Sequence, residues 1–204
     1  MATRARKFAS AAIVVIALLV LGCAGIWLLG KGVEEEASQS QPTIKLEEPP
    51  SQEEVESMDI QPLDGDFIVP SVGMSTGLES MSEVNGSINP PGLQNGYMLR
   101  DHGTPDSPED GTVYVAIHSV QGADLPGNKL INVEDATSAI GEGDTIEVSG
   151  HEYAVNNSYV VDKDKIGERQ ELWEEEPGKL VVLTCLQRPE GRSLQNVVIE
   201  AHSN

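Results

Sequence analysis

From residue 63 onward, hydrophobic residues occur in short runs that are separated by turn-forming residues. Several runs are rich in Val, Ile and Tyr, which favour β-strands. We predict strands at Phe67–Val69, Thr112–Ile117, Thr145–Val148, Tyr153–Val155, Ser158–Val161, Leu180–Thr184 and Val197–Ile199. Clusters such as Pro90-Pro91-Gly92 and Pro177-Gly178 lie between the runs, where turns are expected. Short strands at this spacing predict a mainly β domain, either a sandwich or a barrel.

The connections between the runs refine this prediction. Ser149-Gly150-His151 lies between two β runs and predicts a tight hairpin. One or two short helices are expected around Asn132–Ile140, where Asn132 or Asp135 could form the N-cap. Gly141 and Gly143 are not followed by a third glycine and a helix, so they predict a turn rather than a phosphate-binding loop.

The N-terminal part has a different pattern, because no residue from Phe8 to Gly30 is charged. This run of 23 residues exceeds the roughly 20 that a helix needs to cross a bilayer. Basic residues precede the run and glutamates follow it, so residues 1–7 are expected in the cytoplasm and the C-terminal part outside the cell. We therefore predict a single transmembrane helix at residues 8–30 and a location in the cell membrane.

Two alternatives are open for the same segment. A cleaved signal peptide usually has a shorter apolar core that ends at small residues. A lipoprotein is the other alternative, because Leu21-Gly22-Cys23 is weakly similar to a lipidation site. The apolar run continues past Cys23, however, and this favours the uncleaved helix, in which Cys23 is a buried, inert thiol.

Composition and charge describe the remaining parts of the chain. Residues 31–62 are rich in Glu, Ser, Gln and Pro, and such a segment buries too little apolar surface to fold, so we predict a flexible, acidic extracellular stalk. Residues 63–204 hold 8 of the 13 basic and 24 of the 33 acidic side chains. Nucleic acid is not an expected partner, because phosphate-binding surfaces need clustered Lys and Arg. Two cysteines also exclude a disulfide-stapled scaffold.

Candidate chemistry lies at the ends of two predicted strands. Cys185 is the only cysteine of the predicted extracellular domain, which indicates a reactive or intermolecular thiol, although a small buried hydrophobic residue is the alternative. His118 also ends a hydrophobic run, where a satisfied polar residue is the more common role. If the two meet in space, the imidazole can activate the thiol and later protonate a leaving amine. Arg188 and Arg192 follow Cys185, and a guanidinium near the thiol can stabilise an oxyanion.

Together these positions resemble the sortases, the cysteine transpeptidases of Gram-positive cell surfaces. Val181-Val182-Leu183-Thr184-Cys185 is similar to the family's Thr-Leu-x-Thr-Cys motif, and Thr112–His118 resembles the strand before the catalytic histidine. Arg192–Ile199 resembles the arginine and final strand, most closely in actinobacterial class E and F members. Further similarity lies in Ile88–Pro91, Gly143–Val148 and Tyr153–Val155, so that the likeness spans about residues 66–201.

The resemblance implies a closed, sortase-type β-barrel at residues 63–204. Cys185 would attack a sorting signal similar to Leu-Pro-x-Thr-Gly and form a thioacyl enzyme, while His118 would serve as acid and base. The oxyanion would be stabilised by Arg192, which abuts the final strand, or else by Arg188.

The same resemblance implies the partners. Thr184 would help to position the substrate or the nucleophile. The acyl group would pass from the enzyme to an amine acceptor, such as a peptidoglycan precursor or a pilin lysine.

Two other functions are alternatives. A non-catalytic, membrane-tethered β domain would bind a surface peptide or wall component without activating Cys185. A papain-like hydrolase fits less well, because its cysteine precedes its histidine, whereas His118 comes first here. The other histidines, His102, His151 and His202, show no metal-ligand spacing, and no EF-hand pattern is present, so neither a metal nor a cofactor is expected.

Overall fold

The computed structural model of the chain describes residues 49–203. The predicted transmembrane helix at residues 8–30 and most of the predicted stalk lie outside these residues. Across the described part of the chain, no helix has both the length and the apolar character that a membrane crossing requires.

Residues 49–203 form ten β-strands and two short α-helices. The strands are β1 (Gln61–Val69), β2 (Met74–Met81), β3 (Gly96–Leu99), β4 (Val113–Ile117), β5 (Ile131–Asn132), β6 (Thr137–Ser138), β7 (Thr145–Val148), β8 (His151–Asp162), β9 (Lys179–Leu186) and β10 (Gln195–Ser203). The helices are α1 (Gln52–Ser57) and α2 (Gln170–Trp173), and single 3₁₀ turns lie at Pro70–Val72, Pro108–Asp110, Pro126–Leu130 and Ile166–Glu168.

Eight of the strands close into a barrel in the order β1-β2-β3-β4-β9-β10-β8-β7, while β5 and β6 form a separate hairpin. Most neighbours are antiparallel, but β2 runs parallel to β3, and β4 runs parallel to β9. The predicted mainly β, closed-barrel architecture with one or two short helices is therefore confirmed, and the structure has two. The β4–β9 pair matters for function, because the carboxyl ends of parallel strands lie at the same edge of the sheet.

The barrel wall separates two hydrophobic clusters. Side chains alternate between the faces of a strand, so the inner faces of β4 and β9 contribute Val113, Val115, Ile117, Leu180 and Val182 to the core inside the barrel. Their outer faces contribute Tyr114, Val181 and Leu183 to a second cluster. Leu172 of α2 belongs to this outer cluster and is fully buried, so the short helix covers part of the outer wall.

The strand predictions differ from the structure in β8, β2 and β3, and also in the β5–β6 hairpin. The runs Tyr153–Val155 and Ser158–Val161 belong to one strand, β8, which continues through an irregularity opposite Glu200 and Ala201. Strands β2 and β3 were not predicted. Their segments contain Gly77 or lie beside several glycines and prolines, and the apolar residues are too sparse in β2 to show a clear alternation.

The prediction of a helix around Asn132–Ile140 is wrong, because this segment forms the β5–β6 hairpin. The side-chain oxygen of Asn132 accepts a hydrogen bond from the backbone N–H of Asp135 (3.1 Å), and Ala136 adopts a left-handed conformation with φ of 53°. Asparagine forms such local bonds in turns as readily as at helix N-caps, and here the turn is the outcome.

Two further connections are informative. Val148 pairs with His151 across a two-residue turn in which Ser149 and Gly150 have φ values of 50° and 82°, which confirms the predicted hairpin. Within the predicted stalk, Ser51 and Glu54 form a capping box that begins α1, and this helix buries none of its residues. Strand β1 begins at Gln61, two residues before the predicted domain boundary.

Candidate active site

The register of β4 and β9 brings Cys185 and His118 to the same edge of the sheet. Ile117 pairs with Thr184 across the parallel strands, so the next residues along the chain are His118 and Cys185. Ile117 lies in the inner core, and the alternation of side chains therefore places the imidazole and the thiol on the outer face. Both residues are partly exposed and line one cavity of about 620 Å³. The structure thus brings together the two residues that the sequence predicts to be catalytic.

A pair of buried polar residues joins the ends of these strands. The hydroxyl of Ser119, which follows His118, donates a hydrogen bond to the carbonyl oxygen of Cys185. The carboxamide of Gln187 donates to the backbone carbonyl of Ser119 at 2.8 Å and to its hydroxyl at 3.2 Å. Ser119 and Gln187 are not among the residues predicted from the sequence, because a serine and a glutamine after two strands form no distinctive pattern.

The imidazole of His118 is oriented by a loop that precedes β3. Its Nε2 lies 2.7 Å from the carbonyl oxygen of Pro90. A carbonyl oxygen only accepts, so Nε2 carries a proton and donates it. Nδ1 is then the atom that can take up and release a proton during a reaction. Pro90 belongs to the Ile88–Pro91 segment, which resembles the sortases in sequence but contains no predicted site residue.

The segment between β8 and β9 forms one wall of the cavity. Ile166 and Trp173 line it, and the indole N–H of Trp173 donates to the carbonyl of Ile166 at 2.9 Å. Trp173 is stacked on Tyr114, with ring centroids 5.4 Å apart. The Tyr114 hydroxyl donates to the carbonyl of Leu172 at 3.0 Å, and burial raises the pKa of Tyr114 to about 12. The cavity wall is therefore attached to the outer face of β4.

Ile88, Ala116 and Leu183 add apolar surface to the same cavity, while Lys163, Asp164 and Asn196 add polar groups. A site of this size with apolar walls and a few polar groups is suited to an extended peptide or another small ligand. No cofactor is needed for a thiol and an imidazole to act here.

Thr184 lies at the cavity but is 4% exposed. It pairs with Ile117 on one side and Val197 on the other, both of which belong to the inner core. Its hydroxyl oxygen is buried, and among the described residues it has no hydrogen-bond partner. The predicted role of Thr184 in positioning substrate or nucleophile stays a prediction, and packing beneath the strand end is the contribution visible in the structure.

The two arginines lie in the loop between β9 and β10, and both are exposed. Arg192 lines a second cavity of about 280 Å³ that also contains His118, Gln187 and Pro90. Cys185 is not among the residues that line this second cavity, so Arg192 lies on the side of the imidazole rather than against the thiol in this conformation. Arg188 projects from the same loop, and the preference for Arg192 over Arg188 stays a prediction.

The other histidines are paired with separate carboxylates. His102 Nδ1 lies 2.5 Å from Glu175, His151 Nε2 lies 3.0 Å from Asp106, and His202 Nε2 lies 3.0 Å from Glu176. Residues 49–203 contain no cluster of three or more His, Cys, Asp or Glu side chains that could hold a metal ion.

The sequence matches no protein-family model and no curated protein. The structure is similar to sortase A of Listeria monocytogenes, with a TM-score of 0.50 and 16% identity over 69% of this chain and 86% of that chain. It is also similar to sortase C1 of Streptococcus agalactiae, with a TM-score of 0.50 and 14% identity over 79% of each chain. A pilus-related sortase C of group B Streptococcus gives a TM-score of 0.50 and 15% identity, over 81% of this chain and 77% of that chain.

At these identities the similarity establishes the fold, which is that of the sortases. The resemblance to class E and F members is not supported by these structures, which belong to classes A and C.

Proposed function

We propose that this chain is a sortase-type cysteine transpeptidase that residues 8–30 anchor in the cell membrane, with the barrel outside the cell. The observation that carries the proposal is the placement of Cys185 and His118 at the ends of adjacent parallel strands, in one cavity. The shared sortase fold supports it. The membrane anchor rests on the uncharged, apolar sequence of the segment and its basic flank.

Acylation begins with the Cys185 sulfur attacking the carbonyl carbon of a peptide bond, in the thiolate form that arises when His118 takes the thiol proton. A carbon–sulfur bond forms, and the carbonyl electron pair moves to oxygen. When this tetrahedral intermediate collapses, the carbon–nitrogen bond breaks, and the departing amine takes a proton from His118. The products are a thioester on Cys185, a free amine and a neutral imidazole.

Transfer reverses these roles. An incoming amine attacks the thioester carbonyl and gives a proton to His118 Nδ1, while Nε2 continues to donate to Pro90. The carbon–sulfur bond breaks, His118 returns the proton to the departing sulfur, the new amide leaves, and the Cys185 thiol and the neutral imidazole are regenerated. Arg192 is the predicted guanidinium that stabilises the oxyanion in both steps, for which its loop must bring it toward the thiol.

We infer that the substrate is a sorting signal of the Leu-Pro-x-Thr-Gly type, carried by a secreted surface protein. The apolar walls formed by Ile88, Leu183 and Trp173 suit the hydrophobic residue of such a peptide. The acceptor is an amine of a peptidoglycan precursor or a pilin lysine, and one of the similar structures is described as a pilus-related sortase. Membership of class E or F rests on Arg192–Ile199 alone.

A transfer assay tests the proposal. The full-length chain is incubated with a pool of Leu-Pro-x-Thr-Gly peptides that differ at x, and hydroxylamine serves as the amine acceptor. We expect a peptide hydroxamate that ends at the threonine. Cys185→Ala should abolish this product, whereas Cys23→Ala, the matched change at the other cysteine, should retain it.

The same experiment addresses the binding-module alternative. Peptides that bind the chain in calorimetry but yield neither hydroxamate nor cleaved product would support a non-catalytic domain. Product that forms equally well in Cys185→Ala would contradict thiol chemistry.

A further inference from the structure

Cys185 is flanked by one polar residue from each neighbouring strand. His118 follows β4 on one side, and Asn196 of β10 is paired directly opposite Cys185 on the other. Residues that are directly opposed in a sheet lie on the same face, with Cβ atoms about 4.5–5.5 Å apart. His118, Cys185 and Asn196 therefore form a row across three adjacent strands, and all three line the 620 Å³ cavity.

The alternation of β10 supports this placement of Asn196. Val197, the next residue, belongs to the inner core, and Val198 belongs to the outer cluster. On its other side Asn196 pairs with Val161 of β8, which is also a member of the outer cluster. Register and burial pattern thus agree that the Asn196 side chain lies on the outer face of the barrel, beside the thiol.

The carboxamide of Asn196 has donors that no described residue uses. It is half-buried, and within residues 49–203 its side chain has no hydrogen-bond partner. A carboxamide nitrogen carries two N–H donors. By contrast, Gln195 and Asn157 nearby donate to Asp162 and Glu200 respectively. Asn196 is therefore a donor for which residues 49–203 supply no acceptor, and the sheet places it next to the proposed nucleophile.

We propose that Asn196 is a second oxyanion donor, in addition to Arg192, and this inference rests on the proposed transpeptidase function. When the Cys185 sulfur bonds to the carbonyl carbon, the electron pair that moves to the carbonyl oxygen is stabilised by an N–H of Asn196. The departing amine lies toward His118, which supplies its proton, so the oxygen is directed toward β10. Collapse of the intermediate returns the electron pair to the carbonyl and releases the Asn196 hydrogen bond.

A donor on a strand has an energetic advantage over one on a loop. The backbone of Asn196 is fixed by pairing to both β8 and β9, so only its short side chain has to be oriented when negative charge develops. Arg192 lies in the β9–β10 loop and is exposed, so it must be ordered for each reaction cycle. The two donors together would form an oxyanion site with one donor on a strand and one on a loop.

The test compares two reactions of the same thiol in the full-length chain. Acylation is followed as thioester formation from the pool of Leu-Pro-x-Thr-Gly peptides by intact-mass spectrometry, and alkylation is followed with iodoacetamide. Acylation passes through an oxyanion, whereas alkylation does not. Asn196→Ala should therefore slow acylation by about 10²–10³-fold, the usual effect of losing one oxyanion donor, and leave alkylation unchanged.

Two variants sharpen the comparison. Asn196→Asp keeps the shape of the side chain but replaces its N–H donors with a negative charge, so acylation should fall at least as far as in Asn196→Ala. Asn156→Ala is the matched control, because Asn156 is an exposed asparagine of β8 outside the cavity, and its acylation rate should equal that of the unaltered chain.

The outcomes separate this inference from the proposed function. If the unaltered chain forms no thioester, the transpeptidase proposal fails, and the inference fails with it. If the unaltered chain is acylated and Asn196→Ala is acylated at the same rate, only the role of Asn196 is overturned. Equal losses of acylation and alkylation would also overturn it, since they would indicate a change in the thiol or the fold.

Discussion

The inner and outer faces of the β4–β9 pair are formed by alternate residues of the same two strands but serve different purposes. The inner face carries aliphatic side chains, such as Val115 and Val182, that are fully buried in the barrel core. The outer face begins with buried residues, Tyr114 and Val181, and ends with the partly exposed His118 and Cys185. The inner face therefore contributes mainly to stability, while the candidate catalytic residues lie at the end of the outer face.

This difference shows why strand register is central to the site. A shift of β9 by one residue against β4 would move the side chains of β9 to the opposite face of the sheet. Cys185 would then point into the core and Thr184 would reach the cavity, while His118 would stay on the outer face without the thiol beside it. The core itself holds the register that places His118 beside Cys185, so changes on the two faces should separate activity from stability.

On the outer face, His118→Ala is the strongest test of whether activity can be lost without a large loss of stability. Loss of the acid and base should lower the transfer rate by about 10²–10⁴-fold. The free energy of unfolding should fall by only about 0.5–1.5 kcal/mol, because the partly exposed side chain lies outside the core and loses one hydrogen bond, to the carbonyl of Pro90. Initial rates of hydroxamate formation and urea denaturation would be measured on the same preparation. A large loss of stability would show that the two faces are not independent.

Two arginines in the loop that follows β9 allow a comparison of activity outside the sheet. Arg192→Ala should lower the transfer rate by about 10²–10³-fold if its guanidinium stabilises the oxyanion. Arg188→Ala is the matched change in the same exposed loop and should have little effect. Steady-state kinetics would compare the two variants, and equal losses would refute the preference for Arg192.

On the inner face, Leu180→Ala should act on stability. Leu180 is fully buried, and its truncation should cost about 2–5 kcal/mol of unfolding free energy, measured by urea denaturation. Leu183→Ala provides the matched change on the outer face of the same strand. Leu183 lines the cavity, so its truncation should cost less stability and raise KM for the peptide. The opposite order of stability losses would contradict the assignment of the faces.

Tyr114→Phe probes the connection between the outer face and the cavity wall. The change removes the hydrogen bond to Leu172 and leaves a buried carbonyl without its partner, which should cost about 1–3 kcal/mol. The stacked Trp173 should be held less firmly, so KM should rise more than kcat falls. Denaturation and steady-state kinetics would check both effects. An unchanged KM would show that Trp173 is positioned by other contacts.

The smallest effect on stability is expected for a change near the start of β9, away from the site. A hydrogen bond from His202 lowers the pKa of the Glu176 carboxyl below 4.5. A lowered folded-state pKa stabilises the protein above pH 4.5, and this contribution is lost as the pH falls through the lowered value. Both groups are well exposed, so Glu176→Gln should cost only about 0.2–1 kcal/mol near pH 6.

This loss should disappear in acid, and transfer activity should be unaffected. Urea denaturation at several pH values would measure the difference between Glu176→Gln and the unaltered chain. A difference that grows as the pH falls would contradict the assignment.

The sequence alone is sufficient to locate the site residues that end strongly hydrophobic strands. Val113–Ile117 and Leu180–Leu183 are nearly continuous apolar runs, so the residues that end them, His118 and Cys185, could be located. The runs also predicted the β class. They did not distinguish a sandwich from a barrel, because closure depends on which strands pair, and β2 and β3 could not be recognised.

The missed features depend on contacts between distant segments. Asn196 could be recognised only once β9 and β10 were paired, although the alternation from Val197 and Ile199 places it on the outer face. The helix predicted around Asn132–Ile140 is wrong, because the same side-chain bond of Asn132 can begin a helix or close a turn. The bonds between Ser119 and Gln187 join residues 68 positions apart and leave no local pattern.

The most direct test of the central claim is to locate the acyl group. The full-length chain would be incubated with the Leu-Pro-x-Thr-Gly peptides without an acceptor, quenched in acid and digested, and the modified peptide would be identified by mass spectrometry. We predict a thioester on Cys185 that is absent in Cys185→Ala and accumulates far more slowly in His118→Ala. Acylation at another residue, or adduct formation at an equal rate without His118, would contradict the proposed site.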